Sequence, residues 1–242
     1  MIPKRIIYCW FGKQKLPKEF QKYKESWVKY NPDFEILEIN ETNFDINQFS
    51  FVQEAYSLNK MAFVSDVARI WAVNRYGGVY LDTDVEVRKP LTSLLNYRQF
   101  WAKEDVGQVN SGLIFGSEKN DPILKEILDN YSKLKFNVNK LNTNSTVHVV
   151  SNVLQKYGLK NDKKNNLLRE NRIAFSPRLF APLHYWGGGK IRQESITVHH
   201  YQKNPSWTKK HNGSLYYLIH ELMYLIPILG VYVRWSKKKI FH

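Results

Sequence analysis

At 242 residues, 43% of them apolar, the chain has material for one sizeable core but not for a second full domain. A single cysteine, Cys9, excludes a disulfide framework and agrees with a reducing compartment such as the cytoplasm. A formal charge of +14 calls for acidic partners, either an anionic membrane surface or phosphorylated substrates. Nucleic acid, the third acidic class, is the weakest of these and is not expected as a partner, because the basic residues are scattered and no recognition module is present.

Residues 6–11 form a short apolar run, expected to be the first strand of an α/β domain, which ends at Gly12 and a lysine-bearing loop (Lys13, Lys15). The run is only a strand long, so no signal peptide is expected. An amphipathic helix is predicted over 17–30 (Phe20, Tyr23, Trp27, Val28), closed by Asn31-Pro32, and a strand over 34–39. Residues 60–76 carry the crowded apolar stripe of a largely buried helix, which Gly77-Gly78 stops. Asp66 and Arg69 are three apart on that helix and share a face, where they can pair with each other or reach together toward a ligand.

The apolar strand that follows ends in Asp82-Thr83-Asp84. In an extended strand alternate side chains share a face, so both carboxylates are expected to project toward one point. Two such carboxylates repel each other and resist desolvation, so the pair reads as a site for a divalent cation or a polar substrate. The competing reading is a strand running out into a solvated acidic turn. Ligands of α/β sheets collect at the carboxyl ends of strands, which brings Asp66, Arg69, Asp82 and Asp84 within reach of one another.

The run Phe63-Val64-Ser65-Asp66-Val67-Ala68-Arg69, followed by Tyr76-Gly77-Gly78-Val79-Tyr80-Leu81-Asp82-Thr83-Asp84, resembles the glycosyltransferases of family 32. That group holds bacterial capsular-polysaccharide sugar transferases and fungal outer-chain mannosyltransferases. The likeness begins at Ile2-Pro3-Lys4-Arg5-Ile6-Ile7-Tyr8-Cys9-Trp10-Phe11-Gly12, continues through Ser26-Trp27 and Asn31-Pro32, and closes with His199-His200 and Ser206-Trp207. The same core is similar to the large glucosylating toxins. The resemblance, which covers roughly residues 1–210, implies a GT-A type nucleotide-sugar-binding α/β domain with a mixed central sheet, here taken as residues 1–213; residues 214–242, which it does not reach, are expected from their own composition to form a C-terminal helical segment. It further implies a hexosyltransferase that uses a UDP- or GDP-sugar and Mn2+ or Mg2+, with retention of anomeric configuration.

By the same resemblance Trp10 stacks on the base, Asp84 binds the cation, and Asp82 shares the cation and the ribose. Asp66, Arg69 and Asn110 grip the sugar. Related transferases place a metal-binding His eight residues before a Trp, the spacing of His199 to Trp207, which leaves His200 as the alternative ligand. Imidazole beside carboxylates suits manganese. Ser206, Trp207 and Lys203 are then candidates to cover the diphosphate and exclude water.

Downstream, residues 109–116 are predicted as a strand that starts through Asn110-Ser111-Gly112, and an Asn can donate and accept at once against a hydroxyl. Asp121 and Pro122 are expected to cap and open a helix to about residue 135. Residues 142–146 precede another helix, to 157, and their amides could bind a phosphate or sugar oxygen or serve as caps alone. The Asn/Lys-rich stretch 160–172 reads as a solvated excursion, and Gly187-Gly188-Gly189-Lys190 as a flexible turn. His199 and His200 end a strand and point to opposite faces, so one can face the acidic site while the other packs.

Residues 215–233 are apolar except for His220 and Glu221, and Arg234, Lys237, Lys238 and Lys239 follow. The His-Glu pair and Pro227-Ile228-Leu229-Gly230 favour two short interfacial helices on an anionic leaflet over one membrane crossing, with a helix packed on the domain as the other outcome. The acceptor would then be a glycan or lipid-linked oligosaccharide at the inner face of the cell membrane. Two other classes fit parts of the pattern. Asp82-Thr83-Asp84-Val85 also satisfies the motif of aspartyl-phosphate phosphotransferases, with Glu104-Asp105 as the later acidic pair. A non-catalytic sugar-binding membrane protein would explain the aromatics and the tail, but not the joint appearance of Asp66, Arg69, Asp82, Asp84 and His199.

Overall fold

The computed structural model describes residues 1–141, 145–184 and 188–201. The opening strand β1 (Arg5–Cys9) is followed by α1 (Lys18–Tyr30), β2 (Glu35–Ile39), α2 (Ser50–Ser57) and α3 (Met61–Tyr76). The chain continues through β3 (Gly78–Tyr80), β4 (Val85–Val87), β5 (Gln99–Asp105), β6 (Gln108–Val109) and β7 (Phe115–Ser117). Helices α4 (Pro122–Lys133) and α5 (Thr146–Lys156), strands β8 (Asn166–Leu168) and β9 (Arg172–Phe175), the short α6 (Pro177–Phe180) and β10 (Thr197–His199) complete it.

Among the described residues the main sheet has the order β2-β1-β3-β7-β5-β9-β8, with β6 paired to β5. β1 is parallel to both β2 and β3, as expected when helices make the crossovers, whereas β7 runs antiparallel to β3 and β5. The sheet is therefore mixed. Side chains of β1 divide by parity: Ile7 and Cys9 join the core that includes α3, α4 and α5, while Ile6 and Tyr8 join a second cluster with Trp27, Val79 and Leu81. Helix α3 is buried at Phe63, Val64, Val67, Ala68, Ile70, Ala72 and Val73, and each of its buried Phe, Val and Ile side chains contributes roughly 1.5–3 kcal/mol by leaving water.

Gly77 and Gly78 end α3 with φ of +67° and +127°. A Cβ on Gly78 would stand 2.7 Å from the Arg5 carbonyl oxygen, so a glycine is needed where β3 docks on β1. The Asp121 carboxylate accepts from the Ile123 amide (2.9 Å) and from Nε and one terminal nitrogen of the buried Arg172 (3.2 and 2.8 Å). It thus caps α4 as expected from the sequence, and Pro122 stands at the first helical position.

Three expectations change. Residues 160–172 are more than a solvated excursion: most of their side chains are exposed, as expected, but the loop from Lys160 to Asn166 also closes around the Lys103 ammonium and leads into β8 and β9. A buried ammonium needs oxygens on its protons, and this Asn/Lys-rich loop supplies them largely from its own backbone. The predicted strand over 109–116 is interrupted: β6 ends at Val109, and Leu113 donates to the Asn110 carbonyl across a turn before β7 begins. The Thr146 amide is engaged by Asp66 (3.3 Å) rather than open to a ligand, and residues 142–144 lie outside the described residues. Lys203, Ser206, Trp207 and the segment 214–242 also lie outside them. Among the described residues no helix is long and apolar enough to cross a membrane.

Candidate metal and sugar site

The site forms where β3 leaves the sheet. Leu81 still donates to the Ile7 carbonyl (3.0 Å), but Asp82 to Asp84 then turn, with the Val85 amide donating to the Asp82 carbonyl (3.1 Å). The two carboxylates do converge, though by a tight turn rather than by strand alternation. Strand β4 carries on from the turn and pairs antiparallel with β10, placing His199 opposite Val85, and the His200 amide donates to the Asp84 carbonyl (3.1 Å). A two-strand ribbon thereby fixes the histidine beside the acidic turn.

His199 Nε2 lies 3.2 Å from Asp84 Oδ1 and 3.7 Å from Asp82 Oδ2. One ligand atom from each of Asp82, Asp84 and His199 fits within 4.8 Å of the others, a cluster able to hold a metal ion. Two carboxylates and an imidazole are a donor set that suits a hard or borderline divalent cation such as Mn2+. The Tyr201 amide donates to His199 Nδ1 (3.2 Å), so the ring proton is on Nε2, facing the carboxylates. A cation on Nε2 must displace that proton. Burial pulls the His199 pKa down, but Asp84, Asp82 and Glu104 outweigh it and hold the imidazole above its ordinary value. His200 turns the other way, hydrogen-bonded to Glu86 (2.9 Å) and stacked on Tyr23 with ring centroids 4.7 Å apart.

Arg69 divides itself between two acids. Its guanidinium is 3.1 Å from Asp66 and 3.4 Å from Asp82, and Nε donates to the Ser65 carbonyl (3.1 Å), with the Tyr80 ring 4.9 Å away. Tyr80 donates from its hydroxyl to Asp82 Oδ1 (2.7 Å), leaving Oδ2 on the side of His199. Burial would raise the Asp82 carboxyl, but Arg69, His199 and Tyr80 together hold it below the usual carboxylate range. Asp66 is pushed up to about 6, chiefly by burial and against the pull of Arg69.

Asn110 stands across this pair. Its Oδ1 accepts from the Gly112 amide (2.8 Å) and its Nδ2 donates to Glu104 Oε1 (3.0 Å). A Cβ at Gly112 would lie 2.5 Å from Asp82 Oδ2 and 2.7 Å from an Arg69 terminal nitrogen, so the glycine lets this turn lie against the acid and the arginine. Burial raises the Glu104 carboxyl despite its hydrogen bonds to Asn110 and Tyr201. Trp10 follows β1 at its carboxyl end, half-buried, with its amide on the Ile39 carbonyl of β2 (2.9 Å), its indole N–H on the Gln14 carbonyl (2.6 Å) and its ring against Phe20 (5.8 Å).

The structure thus brings together Asp66, Arg69, Asp82, Asp84, Asn110 and His199, and puts Trp10 at the same end of the sheet. It adds Tyr80, Gly112, Glu104 and Tyr201, which sequence reasoning did not select. Tyr80 was legible as the residue two before Asp82 on one strand. Glu104 was legible only as half of the Glu104-Asp105 pair of the phosphotransferase alternative, and nothing in its spacing linked it to Asn110 or Tyr201.

Residues 17–101 match the sequence family described as "Glycosyltransferase sugar-binding region containing DXD motif". The chain is 27% identical over 142 residues to inositol phosphoceramide mannosyltransferase 3 of Schizosaccharomyces pombe, covering 56% of this chain and 39% of that one. It is 29% identical over 143 residues to the glycosyltransferase L373 of Acanthamoeba polyphaga mimivirus, covering 54% and 55%. The chain therefore spans about two fifths to just over half the length of these relatives. Among solved structures, the PaToxG glycosyltransferase superposes with a TM-score of 0.52 at 19% identity, covering 64% of this chain and 69% of that one. A glycosyltransferase involved in glycosylation of the PBCV-1 major capsid gives 0.51 at 15% identity, covering 84% and 96%. These two likenesses agree in fold with the mixed sheet described above. Residues 17–101, which include Asp82-Thr83-Asp84, thus resemble a glycosyltransferase sugar-binding region containing a DXD motif, and the mixed α/β sheet is of the GT-A type of fold.

Proposed function

We propose that this protein moves a sugar from a nucleoside-diphosphate donor to a glycan hydroxyl, with retention of configuration and with a divalent cation, Mn2+ or Mg2+, at Asp82, Asp84 and His199. The observation that carries the reading is the convergence of these three side chains beside an Arg69 already committed to Asp66 and Asp82. The cation, when bound, offsets charge growing on the diphosphate leaving group. Asp84 and His199 would hold it, with Asp82 between it and the ribose, while Tyr80 and Arg69 fix the Asp82 carboxylate.

Asp66, Arg69 and Asn110 then orient the sugar, and Trp10 stacks on the base. Ser206 and Trp207 close over the diphosphate. The acceptor oxygen attacks the anomeric carbon from the face the phosphate leaves, the bond to the phosphate oxygen breaks, and the hydroxyl proton passes to that oxygen. The acceptor class we favour is a lipid-linked or capsular oligosaccharide, reached from the cytoplasm with residues 214–242 on an anionic membrane.

The test is a panel of UDP- and GDP-sugars, scored for hydrolysis and for transfer to glycan acceptors, with Mn2+, with Mg2+ and with excess chelator. Turnover of one donor that stops in chelator supports the reading. Turnover unaffected by chelator removes the cation from it. Absence of turnover across the panel, in a protein that does bind sugar, favours the non-catalytic alternative.

A further inference from the structure

Glu104 lies at the end of β5, 9% exposed, and its Oε1 takes two hydrogen bonds from opposite sides of the site. One comes from Asn110 Nδ2 and the other from the Tyr201 hydroxyl, each at 3.0 Å. Neither partner carries a charge. A buried carboxylate held only by an amide and a phenol stays desolvated at a cost, and burying a hydrophobic residue in its place would avoid that cost.

Each partner leads into the site. The Asn110 amide is fixed at both ends, Oδ1 by the Gly112 amide and Nδ2 by Glu104, so Glu104 sets which way the amide points. Tyr201 has φ of +46°, in the left-handed region that a bulky residue rarely occupies. Its backbone amide donates to His199 Nδ1, and its ring lies 4.2 Å from the imidazole, centroid to centroid. A strained residue held at its hydroxyl end by Glu104 is thus the one that orients the metal-side histidine.

We propose that Glu104 is a positioning residue that joins the two halves of the site, holding Asn110 on the sugar side and, through Tyr201, His199 on the metal side. It touches neither substrate nor cation in this role. The inference rests on the metal-and-sugar reading given above, and it assigns to one buried side chain the coupling between those halves. Residues on both sides should then respond together when Glu104 is changed.

The test measures, on folded full-length protein, the donor-sugar KM and the Mn2+ concentration for half-maximal stabilisation in Glu104→Ala, Glu104→Gln, Asn110→Ala and Tyr201→Phe. Loss of a hydrogen bond to a buried carboxylate corresponds to about tenfold or more in an equilibrium constant. Glu104→Ala is expected to raise both quantities by about that factor, Asn110→Ala the KM, and Tyr201→Phe the Mn2+ midpoint. Glu104→Gln keeps an oxygen for both donors and should recover most of the loss.

If Glu104→Ala changes only the melting temperature, the residue is merely structural and the proposal falls. If Glu104→Gln is as impaired as Glu104→Ala, its charge matters rather than its hydrogen bonds, which also overturns it. Should Glu104→Ala fail to fold, Tyr201→Phe decides: a raised Mn2+ midpoint supports the link through Glu104, and an unchanged midpoint overturns it. A wild-type protein showing neither Mn2+ stabilisation nor donor turnover would instead remove the underlying functional reading.

Discussion

Lys103 and Glu104 are neighbours on β5 and both are buried, yet their surroundings differ in kind. The Lys103 ammonium is ringed by Asp162 Oδ1 (2.9 Å), Asn166 Oδ1 (2.6 Å) and the carbonyls of residues 162 and 164 (3.0 and 2.9 Å). One positive charge meets one carboxylate and enough neutral oxygens to use all its protons. On the other side, Asp66, Asp82, Asp84 and Glu104 gather around one arginine and one histidine. The first region is closed electrostatically and the second keeps an excess of negative charge. Buried charge that serves architecture is matched within the chain, whereas buried charge that serves a ligand is left incomplete until the ligand arrives.

Changing a member of the closed region should cost stability and little else. Lys103→Met leaves Asp162, Asn166 and two backbone carbonyls without their cation, so unfolding free energy should fall by about 1–3 kcal/mol, less than for a fully buried pair because Asp162 is one-third exposed. Donor turnover per folded molecule should stay near wild type, measured beside denaturant titrations. A mild stability loss with a collapsed rate would show that the two regions are not separable.

Gly112 lies at the border of the two behaviours. Gly112→Ala places a methyl against Asp82 and Arg69, and overpacking of this kind costs about 1–3 kcal/mol. Because the atoms pushed are those of the site, turnover should fall by about tenfold as well. Normal turnover in a destabilised variant would mean that the carboxylate position matters less than the geometry suggests.

The smallest stability effect is expected at Asp66. Its folded pKa, about 6, lies above the ordinary 3.8 of an aspartate, so the folded state prefers the protonated form. That preference contributes stability fully below pH 3.8 and is lost as pH rises through 6. Asp66→Asn mimics the protonated acid, so it should flatten the stability profile across that window and be no less stable than wild type at pH 7, while turnover drops. A large loss of stability at pH 7 with normal turnover would move Asp66 to the closed class.

The sequence made the sheet skeleton readable because apolar periodicity and Gly-Gly punctuation are local signals, and α1, α3, α4, β1 and β2 fall within a residue or two of expectation. Asp66, Arg69, Asp82, Asp84 and His199 were legible as chemistry, since strand-end acids and helix-face pairs announce themselves by spacing. The Asp82 to Asp84 turn, the Lys103 cage and the Glu104 link were not. Each depends on contacts between segments 59 to 97 residues apart, or on a backbone turn that alternation alone does not distinguish from a strand. Residues 160–172 are legible as solvated side chains, but the backbone cage they form is not, because a loop of carbonyls around an ammonium has the same composition.

The account depends most on the cation. Titrating Mn2+ into wild type and into Asp84→Asn, each confirmed folded, measures it directly by calorimetry at pH 7. The account predicts about one ion bound per wild-type chain and binding weakened by about a hundredfold in the variant, with affinity falling in acid as the proton reclaims His199. Equal affinity in the two proteins, or no binding to wild type, would contradict it.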